Sequence, residues 1–286
     1  MNLKLRRGTI EDARECGRID FEAFKSISSE HNFPWDFPSV EIATGEVTRC
    51  LSNPGFYSVV AELDGKIVGS NFMDERNPIA GIGPISVDPA VQNQTIGREL
   101  MAAATERARV RKFAGVRLVQ SAYHNRSLCL YTKLGFETRE PLSKMAGPPI
   151  KKRFAGYDVR PAAEQDLESC NKLCVRVHGC DRGGELHDAI LAGTAKVVEH
   201  LGRITGYAGD ISFLSHAVGE TSQDLIALIA AASDLSAGGG FLVPTRNGEL
   251  FRWCLQNGLR LVHQMTLMTT GLYNEPSGAY LPSVLF

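Results

Sequence analysis

The chain has 286 residues, of which 43% are hydrophobic and 22% are charged, and its formal net charge is −1. This composition is typical of a folded globular protein with one or two domains, and it excludes extensive disorder. A net charge so close to zero creates no basic field, so neither nucleic acid nor an anionic membrane is expected as a partner.

The N-terminal segment MNLKLRRGTIEDARE is too charged for a signal peptide, and no apolar run approaches the length of a membrane span. The 7 cysteines are an odd number in a chain without a secretion signal. They are expected to be reduced thiols in a cytoplasmic protein. No metal site is predicted, because the spacing of Cys170, Cys174, His178 and Cys180 fits helix packing better than any common zinc pattern.

The first half of the chain alternates between strand and helix periodicities, which is typical of an α/β fold. Strands are predicted over residues 3–5, 57–63, 66–73, 79–87 and 116–122, the second and third forming a hairpin through Asp64-Gly65. Helices are predicted over 9–25, 39–51, 96–112 and 125–134, the last ending at Gly135.

A linker is predicted over residues 146–156, which are rich in Gly, Pro and Lys/Arg and show no apolar period. Beyond it, YDVRPAAEQDLESCNKL repeats the pattern of the opening LKLRRGTIEDARECGRI. Further strands are predicted over 203–208, 211–218 and 240–243, with helices over 221–233 and 247–256. The sequence therefore predicts two related α/β domains, residues 1–145 and 157–286.

The segment GPISVDPAVQNQTIGR, residues 83–98, predicts a strand, a polar loop and the start of an amphipathic helix. The first backbone N–H groups of a helix have no partner within the helix, and the helix dipole adds partial positive charge there. This arrangement favours binding of an anion, and a pyrophosphate is the expected guest.

Two motifs in this order resemble the GNAT superfamily of N-acetyltransferases. Gln92-Asn93-Gln94-Thr95-Ile96-Gly97 is similar to the family's acyl-CoA pyrophosphate loop, and Asn125…Leu130-Tyr131-Thr132-Lys133-Leu134-Gly135-Phe136 is similar to its fourth helix. The resemblance covers about residues 1–145. It implies an acetyl-CoA site contacted by Ile85, Ser86 and Val87, by Gln92, Asn93, Gln94, Thr95, Ile96, Gly97 and Arg98, and by Asn125 and Ser127.

The second half resembles the acetyltransferase-like C-terminal domain of tandem GNAT proteins, chiefly in its tail GAYLPSVLF. The implied fold is two tandem GNAT-like domains, each a mixed central sheet with helices on both faces. No pyrophosphate loop follows Val218, and Cys254 stands at the position equivalent to Tyr131. One active site per chain is therefore expected, with the second domain supplying a wall of the acceptor cleft or an interaction surface.

Thr95 departs from the family pattern, because it stands where the first loop glycine is expected. A β-branched residue fits there if its φ is helical, whereas a positive φ would put cofactor binding in doubt.

The resemblance implies that an amine attacks the thioester directly, with Tyr131 as the general acid that protonates the departing thiolate. A phenol of pKa about 10 is close to a free thiol of about 8.5, so the proton transfer is nearly matched. The alternative is a packed tyrosine whose hydroxyl reaches solvent. Glu75 is the nearest candidate general base, because the strand IAGIGPISV contains no acid. Asp74 and His124 are alternatives, and a water relay or a neutral amine would need no such residue.

An aromatic loop contains His31, Phe33, Trp35 and Phe37, where GNAT proteins shape the acceptor pocket. These side chains would bind an apolar or cationic acceptor, or would fold back onto the domain. The predicted function is acetyl-CoA-dependent transfer of an acetyl group to a primary amine of a small molecule. The alternatives are a non-catalytic acyl-CoA-binding or regulatory module and a small-molecule-binding scaffold in which the second domain is the functional one.

Overall fold

The computed structural model describes residues 2–92, 94–236 and 239–285. The elements of the first half are β1 (Leu3–Arg7), α1 (Ala13–Glu30), α2 (Val40–Ser52), β2 (Phe56–Leu63), β3 (Lys66–Asp74), β4 (Ile79–Val87), α3 (Ile96–Val110), β5 (Gly115–Ser121), α4 (Asn125–Lys133) and β6 (Glu137–Ala146). Those of the second half are β7 (Tyr157–Pro161), α5 (Leu167–His178), α6 (Gly183–Leu191), β8 (Lys196–His200), β9 (Arg203–Ala208), β10 (Ala217–Gly219), α7 (Ser222–Ala230), β11 (Phe241–Pro244), α8 (Gly248–Gln256), β12 (Arg260–Gly271) and β13 (Ala279–Leu281).

Local signals place most of these elements where the sequence predicts them. Ser39 caps α2 by accepting a hydrogen bond from the Ile42 amide, and Gly135 follows α4 with a φ of +87°. The helix α1 runs five residues beyond the predicted end at Lys25, to Glu30. The prediction of a strand over residues 211–218 is wrong in its length, because the strand β10 begins only at Ala217. The strands β6, β8, β12 and β13 and the helix α6 were not predicted.

The strands form two sheets that do not follow the boundary between the halves. The larger sheet has the order β1-β2-β3-β4-β5-β12-β6-β11, and the smaller one has the order β13-β10-β9-β8-β7. β12 is antiparallel to β5, from Met265 opposite Ser121 to Gly271 opposite Gly115. On its other edge it pairs with β6. A strand of the second half thus lies at the centre of the sheet of the first half.

The internal duplication extends to side-chain contacts. Arg6 on β1 donates to Asp12 and to Glu62, each at 2.7 Å. Arg160 on β7 donates to Asp166 at 2.7 Å and, through Nε, to Glu199 at 2.9 Å. The same ion-pair arrangement at corresponding positions supports the repeat that the sequence predicts. The mixed α/β architecture of two tandem halves is confirmed.

Helices cover both faces of the larger sheet. α1 and α2 pack on one face around Phe72, and α3 and α4 pack on the other around Met73. Adjacent strand residues point to opposite faces, so these two residues define the two layers. Among the described residues, no helix has both the length and the apolar character that crossing a membrane would require. The same residues contain no group of three or more His, Cys, Asp and Glu side chains arranged to hold a metal ion.

The shared sheet predicts that the two halves unfold together. Each half contains one of the two tryptophans, Trp35 or Trp253. In the variants Trp35→Phe and Trp253→Phe, the remaining tryptophan reports one half during denaturant unfolding. Because β12 cannot leave without opening the sheet of the first half, we expect both fluorescence transitions to coincide with the circular dichroism transition. Two separate midpoints within one variant, one for each probe, would show that the halves are independent.

Candidate active site

The site is built on the parting of β4 and β5. These parallel strands pair only from Ile79 to Gly81, opposite Gly115 to Arg117. Beyond that point β4 stays paired with β3, with Val87 opposite Gly69, and β5 stays paired with β12. The facing backbone groups of β4 and β5 are therefore directed into a gap, and buried backbone groups require hydrogen-bond partners. An extended ligand with amide groups would supply them.

The helix α3 begins at the wide end of this gap. The amides of Arg98 and Glu99 donate to the Thr95 carbonyl at 2.9 and 3.1 Å. The amides of Ile96 and Gly97 precede them in the first turn, where a helix offers no internal acceptor. Gln94, Thr95 and Arg98 have exposed side chains at this helix start. Asn93 lies outside the described residues.

Thr95 adopts the left-handed conformation, with φ of 65° and ψ of −7°. This is the conformation that a loop glycine would adopt, so the turn keeps its geometry with a β-branched residue. A non-glycine residue there costs of order 1–2 kcal/mol. The sequence analysis stated that a positive φ at Thr95 would put cofactor binding in doubt, and the observed φ is positive. The cost falls on the stability of the loop, because the two helix amides keep their position.

Two predicted cofactor contacts have partners within the protein. The side-chain amide of Gln92 donates through Nε2 to the Val87 carbonyl at 3.0 Å and accepts through Oε1 from Arg126 at 2.5 Å. A ligand that uses the Val87 carbonyl must displace this side chain. Ser127 stays a predicted cofactor contact, and its buried hydroxyl donates to the His124 carbonyl at 2.9 Å and so holds the β5–α4 turn. Asn125 is exposed at the start of α4.

Tyr131 lies on the α3–α4 face of the sheet and is only 7% exposed. It belongs to the apolar cluster that includes Ile82 and Leu118, which flank the point where β4 and β5 part. Burial raises the pKa of Tyr131 to about 12, so the phenol keeps its proton at neutral pH. The structure thus places a protonated hydroxyl group beside the gap.

Glu75, the nearest candidate general base from the sequence, stays a prediction. Its carboxylate accepts two hydrogen bonds from Arg107 on α3, at 2.7 and 2.9 Å. Bidentate, charge-assisted pairs are strong, so Glu75 could accept a proton only by giving up this pair.

The alternatives to Glu75 are engaged in other ways. Asp74 accepts from Arg76, and burial lowers the pKa of His124 to about 4. The general base therefore stays open among these residues, a water relay and a neutral amine.

The aromatic loop divides into two parts. Phe33 stacks on Tyr123 at 4.4 Å between ring centroids, and His31 lies 5.2 Å from the same ring. Tyr123 follows β5, so this pair lies at the end of the gap.

Trp35 and Phe37 are the other part, and they fold back onto α1. They make edge contacts with Phe21 and Phe24, at 6.1 and 5.5 Å. Trp35 is still 48% exposed. Of the four predicted acceptor residues, the structure brings only His31 and Phe33 to the site.

The C-terminal segment forms one end of the gap on the α1–α2 face. A β-carbon at Gly81 would overlap the Leu285 carbonyl, and one at Gly83 would lie 3.5 Å from the Leu285 side chain. Leu285 also belongs to the apolar cluster of α1 and α2. The second half thus contributes Leu285 to one end of the gap, and its role as a wall of the acceptor cleft stays a prediction.

The most unusual buried group here is Asp20 on α1, which sequence reasoning missed. Its side chain is 0% exposed, and neither carboxylate oxygen has a hydrogen-bond partner among the described residues. Burial raises the pKa of Asp20 to about 7, and the neighbouring Ser86 hydroxyl partly offsets this rise. The sequence contained a signal that Asp20 is buried, because it directly follows the core residue Ile19 and aligns with Cys174 of the repeat.

The second half lacks a comparable anion site for two physical reasons. The Asp224 carboxylate accepts from the Thr221 amide and hydroxyl, at 2.8 and 2.7 Å, so a negative charge already occupies the start of α7. In addition, β13 pairs with β10, which corresponds to β4. The positions that correspond to the start of α3 and to the edge of β4 are thus filled here by the chain itself.

Residues 54–138 match the family model described as an acetyltransferase (GNAT) domain. The chain carries a GNAT domain. Three solved structures share the fold of the whole chain. A candidate acetyltransferase from Pyrococcus horikoshii has a TM-score of 0.74 and 20% identity, and the match covers 97% of this chain and 94% of that one.

A GCN5-related N-acetyltransferase from Sphaerobacter thermophilus has a TM-score of 0.59 and 14% identity, with 96% of each chain covered. A tandem GNAT protein of the clavulanic acid biosynthesis pathway has a TM-score of 0.57 and 13% identity, with 94% of this chain and 98% of that one covered. No curated protein matches the sequence. At these identities the likeness shows the fold, which is that of a tandem GNAT protein.

Asp20 predicts a distinct dependence of stability on pH. Its folded pKa of about 7 lies above the ordinary value of 3.8, so the folded state binds the proton more tightly than the unfolded chain. Asp20 therefore destabilises the fold increasingly as pH rises from 4 through 7. The free energy of unfolding of Asp20→Asn, relative to wild type, should rise by about 4 kcal/mol between pH 4 and pH 8. Denaturant titrations at both pH values measure this, and a constant difference would contradict it.

Proposed function

We propose that this protein is an acetyl-CoA-dependent N-acetyltransferase that acetylates a primary amine of a small molecule. The observation that carries the proposal is the gap between β4 and β5, which ends at the first-turn amides of α3 within the GNAT domain. A near-neutral net charge favours a small acceptor over nucleic acid or a membrane surface, and we place the protein in the cytoplasm.

The first half has the features that coenzyme A requires. The amides of Ile96 and Gly97 would bind the pyrophosphate, with the α3 dipole adding favourable charge. A β-carbon at Gly97 would lie 3.8 Å from both Val87 and Leu130, so the glycine leaves room between α3, β4 and α4. The edge of β4 around Ile85 to Val87 would pair with the amides of the pantetheine arm. When bound, acetyl-CoA supplies an activated acetyl thioester.

Tyr131 is the general acid in this mechanism. The amine nitrogen forms a bond to the thioester carbon, and the carbon–sulfur bond then breaks. The thiolate is a better leaving group if it takes a proton as it departs. The buried phenol of Tyr131 lies on the face of α3 and α4, beside the gap, and its raised pKa keeps that proton available.

The acceptor enters from the opposite face in this proposal. Leu285 closes the narrow end of the gap there, and His31 and Phe33 lie at its wide end beside Tyr123. This enclosure favours a small amine with an apolar portion over a large substrate.

A non-catalytic acyl-CoA-binding module is the second candidate function. The hydrogen bond from Gln92 to the Val87 carbonyl favours it, because this bond occupies part of the edge that the thioester arm would use. Binding of acetyl-CoA without acetylation of any amine in a broad panel would support this alternative.

The role of Tyr131 predicts a selective loss in Tyr131→Phe. The substitution removes only the hydroxyl group, so the packing with Phe136 and the binding of acetyl-CoA should persist. We expect kcat to fall by about 10²–10³-fold, a typical effect of losing a general acid. Steady-state kinetics with thiol detection gives kcat, and calorimetry gives the acetyl-CoA Kd. Unchanged turnover across the pH range would overturn the assignment.

The pyrophosphate site predicts a selective loss of affinity in Gly97→Ala. The added methyl group meets only ordinary contacts in the protein, so the fold should tolerate it. It projects into the space between α3 and α4, and we expect the Kd for coenzyme A to rise about 10-fold or more because the phosphate cannot approach the main chain as closely. Gly45→Ala is the matched control, since a β-carbon there meets nothing within 4 Å. Equal affinities in the two variants would place the pyrophosphate elsewhere.

A further inference from the structure

We propose that Asp20, acting through the Ser86 hydroxyl, accepts the proton that the acceptor amine loses during acetyl transfer. This inference deepens the proposed function, on which it rests. It assigns to Asp20 the role that the sequence gave to Glu75, whose carboxylate is paired with Arg107.

Asp20 is part of a buried polar patch under β4. Ser70 and Ser86 lie opposite each other on β3 and β4, and both hydroxyls are buried. The Ser86 hydroxyl lies close enough to Asp20 to lower the pKa of its carboxyl group. Yet neither serine hydroxyl and neither Asp20 oxygen makes a hydrogen bond of regular geometry with any group among residues 2–92, 94–236 and 239–285. Buried polar atoms without partners are rare, because each costs about 1–3 kcal/mol. A cluster of them indicates a site that is completed by another molecule.

The position of this patch fits the direction of attack. Ser86 lies on β4 between Ile85 and Val87, along the strand that borders the gap. Asp20 belongs to α1, whose layer covers the face of the sheet opposite Tyr131. The proton acceptor and the general acid therefore lie on opposite sides of the gap. The amine and the departing thiolate need this separation, since the first loses a proton and the second gains one.

The internal repeat shows that the fold does not require a carboxylate at this position. Arg6 and Asp12 correspond to Arg160 and Asp166, and the same alignment places Cys174 at the position of Asp20. Cys174 is equally buried in α5 of the second half. The half that keeps the gap carries the carboxylate, and the half whose gap is filled carries a thiol.

The proton step balances as follows. As the nitrogen–carbon bond forms, the nitrogen becomes cationic and releases a proton to the Ser86 oxygen. The Ser86 hydroxyl passes its own proton to Asp20, and the serine is regenerated. The carbon–sulfur bond breaks while Tyr131 protonates the sulfur. The products are the N-acetylated amine and coenzyme A, after which solvent removes the proton from Asp20 and restores the one on Tyr131.

The groups around Asp20 determine the expected pH profile. Cys16 faces it from α1, Glu46 and Cys50 face it from α2, and β4 contributes the Ser86 hydroxyl. Glu46 is paired with Arg49, so it adds only a small negative influence. With a pKa of about 7, Asp20 must lose its proton to act, and kcat/KM should rise with pH through that value.

The test compares wild type with Asp20→Asn, Asp20→Cys and Ser86→Ala, using acetyl-CoA and the best acceptor from a panel of aliphatic primary amines. Asp20→Cys reproduces the buried residue of the repeat, so we expect the full chain to fold, and circular dichroism checks this. We expect kcat/KM at pH 7 to fall about 100-fold in all three variants, and the acidic limb near pH 7 to vanish in the two Asp20 variants. The Kd for coenzyme A should not change. Ser70→Ala removes the other buried hydroxyl of the patch and should lower kcat/KM less than Ser86→Ala does, because Ser70 is outside the proton relay.

A second measurement does not depend on turnover. The infrared difference between wild type and Asp20→Asn isolates one carboxyl group, which should titrate with a pKa of about 7. Titration near 4, or wild-type kinetics in Asp20→Cys, would overturn the role of Asp20 and leave acetyl transfer intact. Failure of wild type to acetylate any amine while the carboxyl group still titrates near 7 would instead contradict the proposed function.

Discussion

The structure depends on keeping β4 and β5 apart while each remains in a continuous sheet. A strand edge with unpaired backbone groups is unfavourable in a buried position, so both strands must be fixed by their other neighbours. β3 holds β4, and β12 from the second half holds β5 along its whole length. The gap is therefore maintained by residues almost 150 positions beyond it in the chain. Neither half can form the site alone.

This constraint explains why two similar halves have different roles. Both begin with the same strand, ion pair and helix, and both place a helix after the fourth strand. In the second half, the carboxylate of Asp224 occupies the helix start and β13 occupies the strand edge. Its contribution to the site consists of β12 and of Leu285, which closes the gap beside Gly83. The duplicated half thus serves as a structural support for the other.

The elements that follow from local sequence patterns were largely predicted. The helix and strand periods of the first half, the cap at Ser39 and the glycine after α4 depend on neighbouring residues, so the sequence contains the information. The start of α3 was predicted for the same reason, and anion binding there stays a prediction. Thr95 has the positive φ that the sequence analysis named as the case in which cofactor binding is in doubt, so binding at this loop stays a prediction.

The features that the sequence did not predict all involve distant partners. The position of β12 depends on pairing with β5 and β6, and its alternating pattern would suit any sheet. Glu75 looked available because Arg107 is far away in the chain. Asp20 looked like an ordinary polar residue of a helix until the sheet covered it. Phe33 and Trp35 are two residues apart, yet only one reaches the site, because Tyr123 stacks on the first.

The central claim is that one acetyl-CoA binds per chain in the gap between β4 and β5. A crystal structure of the full chain grown with acetyl-CoA tests it most directly. The account predicts one molecule per chain, with its pyrophosphate on the amides of Ile96 and Gly97, its pantetheine arm along β4, and the Gln92 side chain displaced from Val87. Density for the cofactor in the second half, or a gap that stays closed by Gln92 at saturating acetyl-CoA, would contradict it.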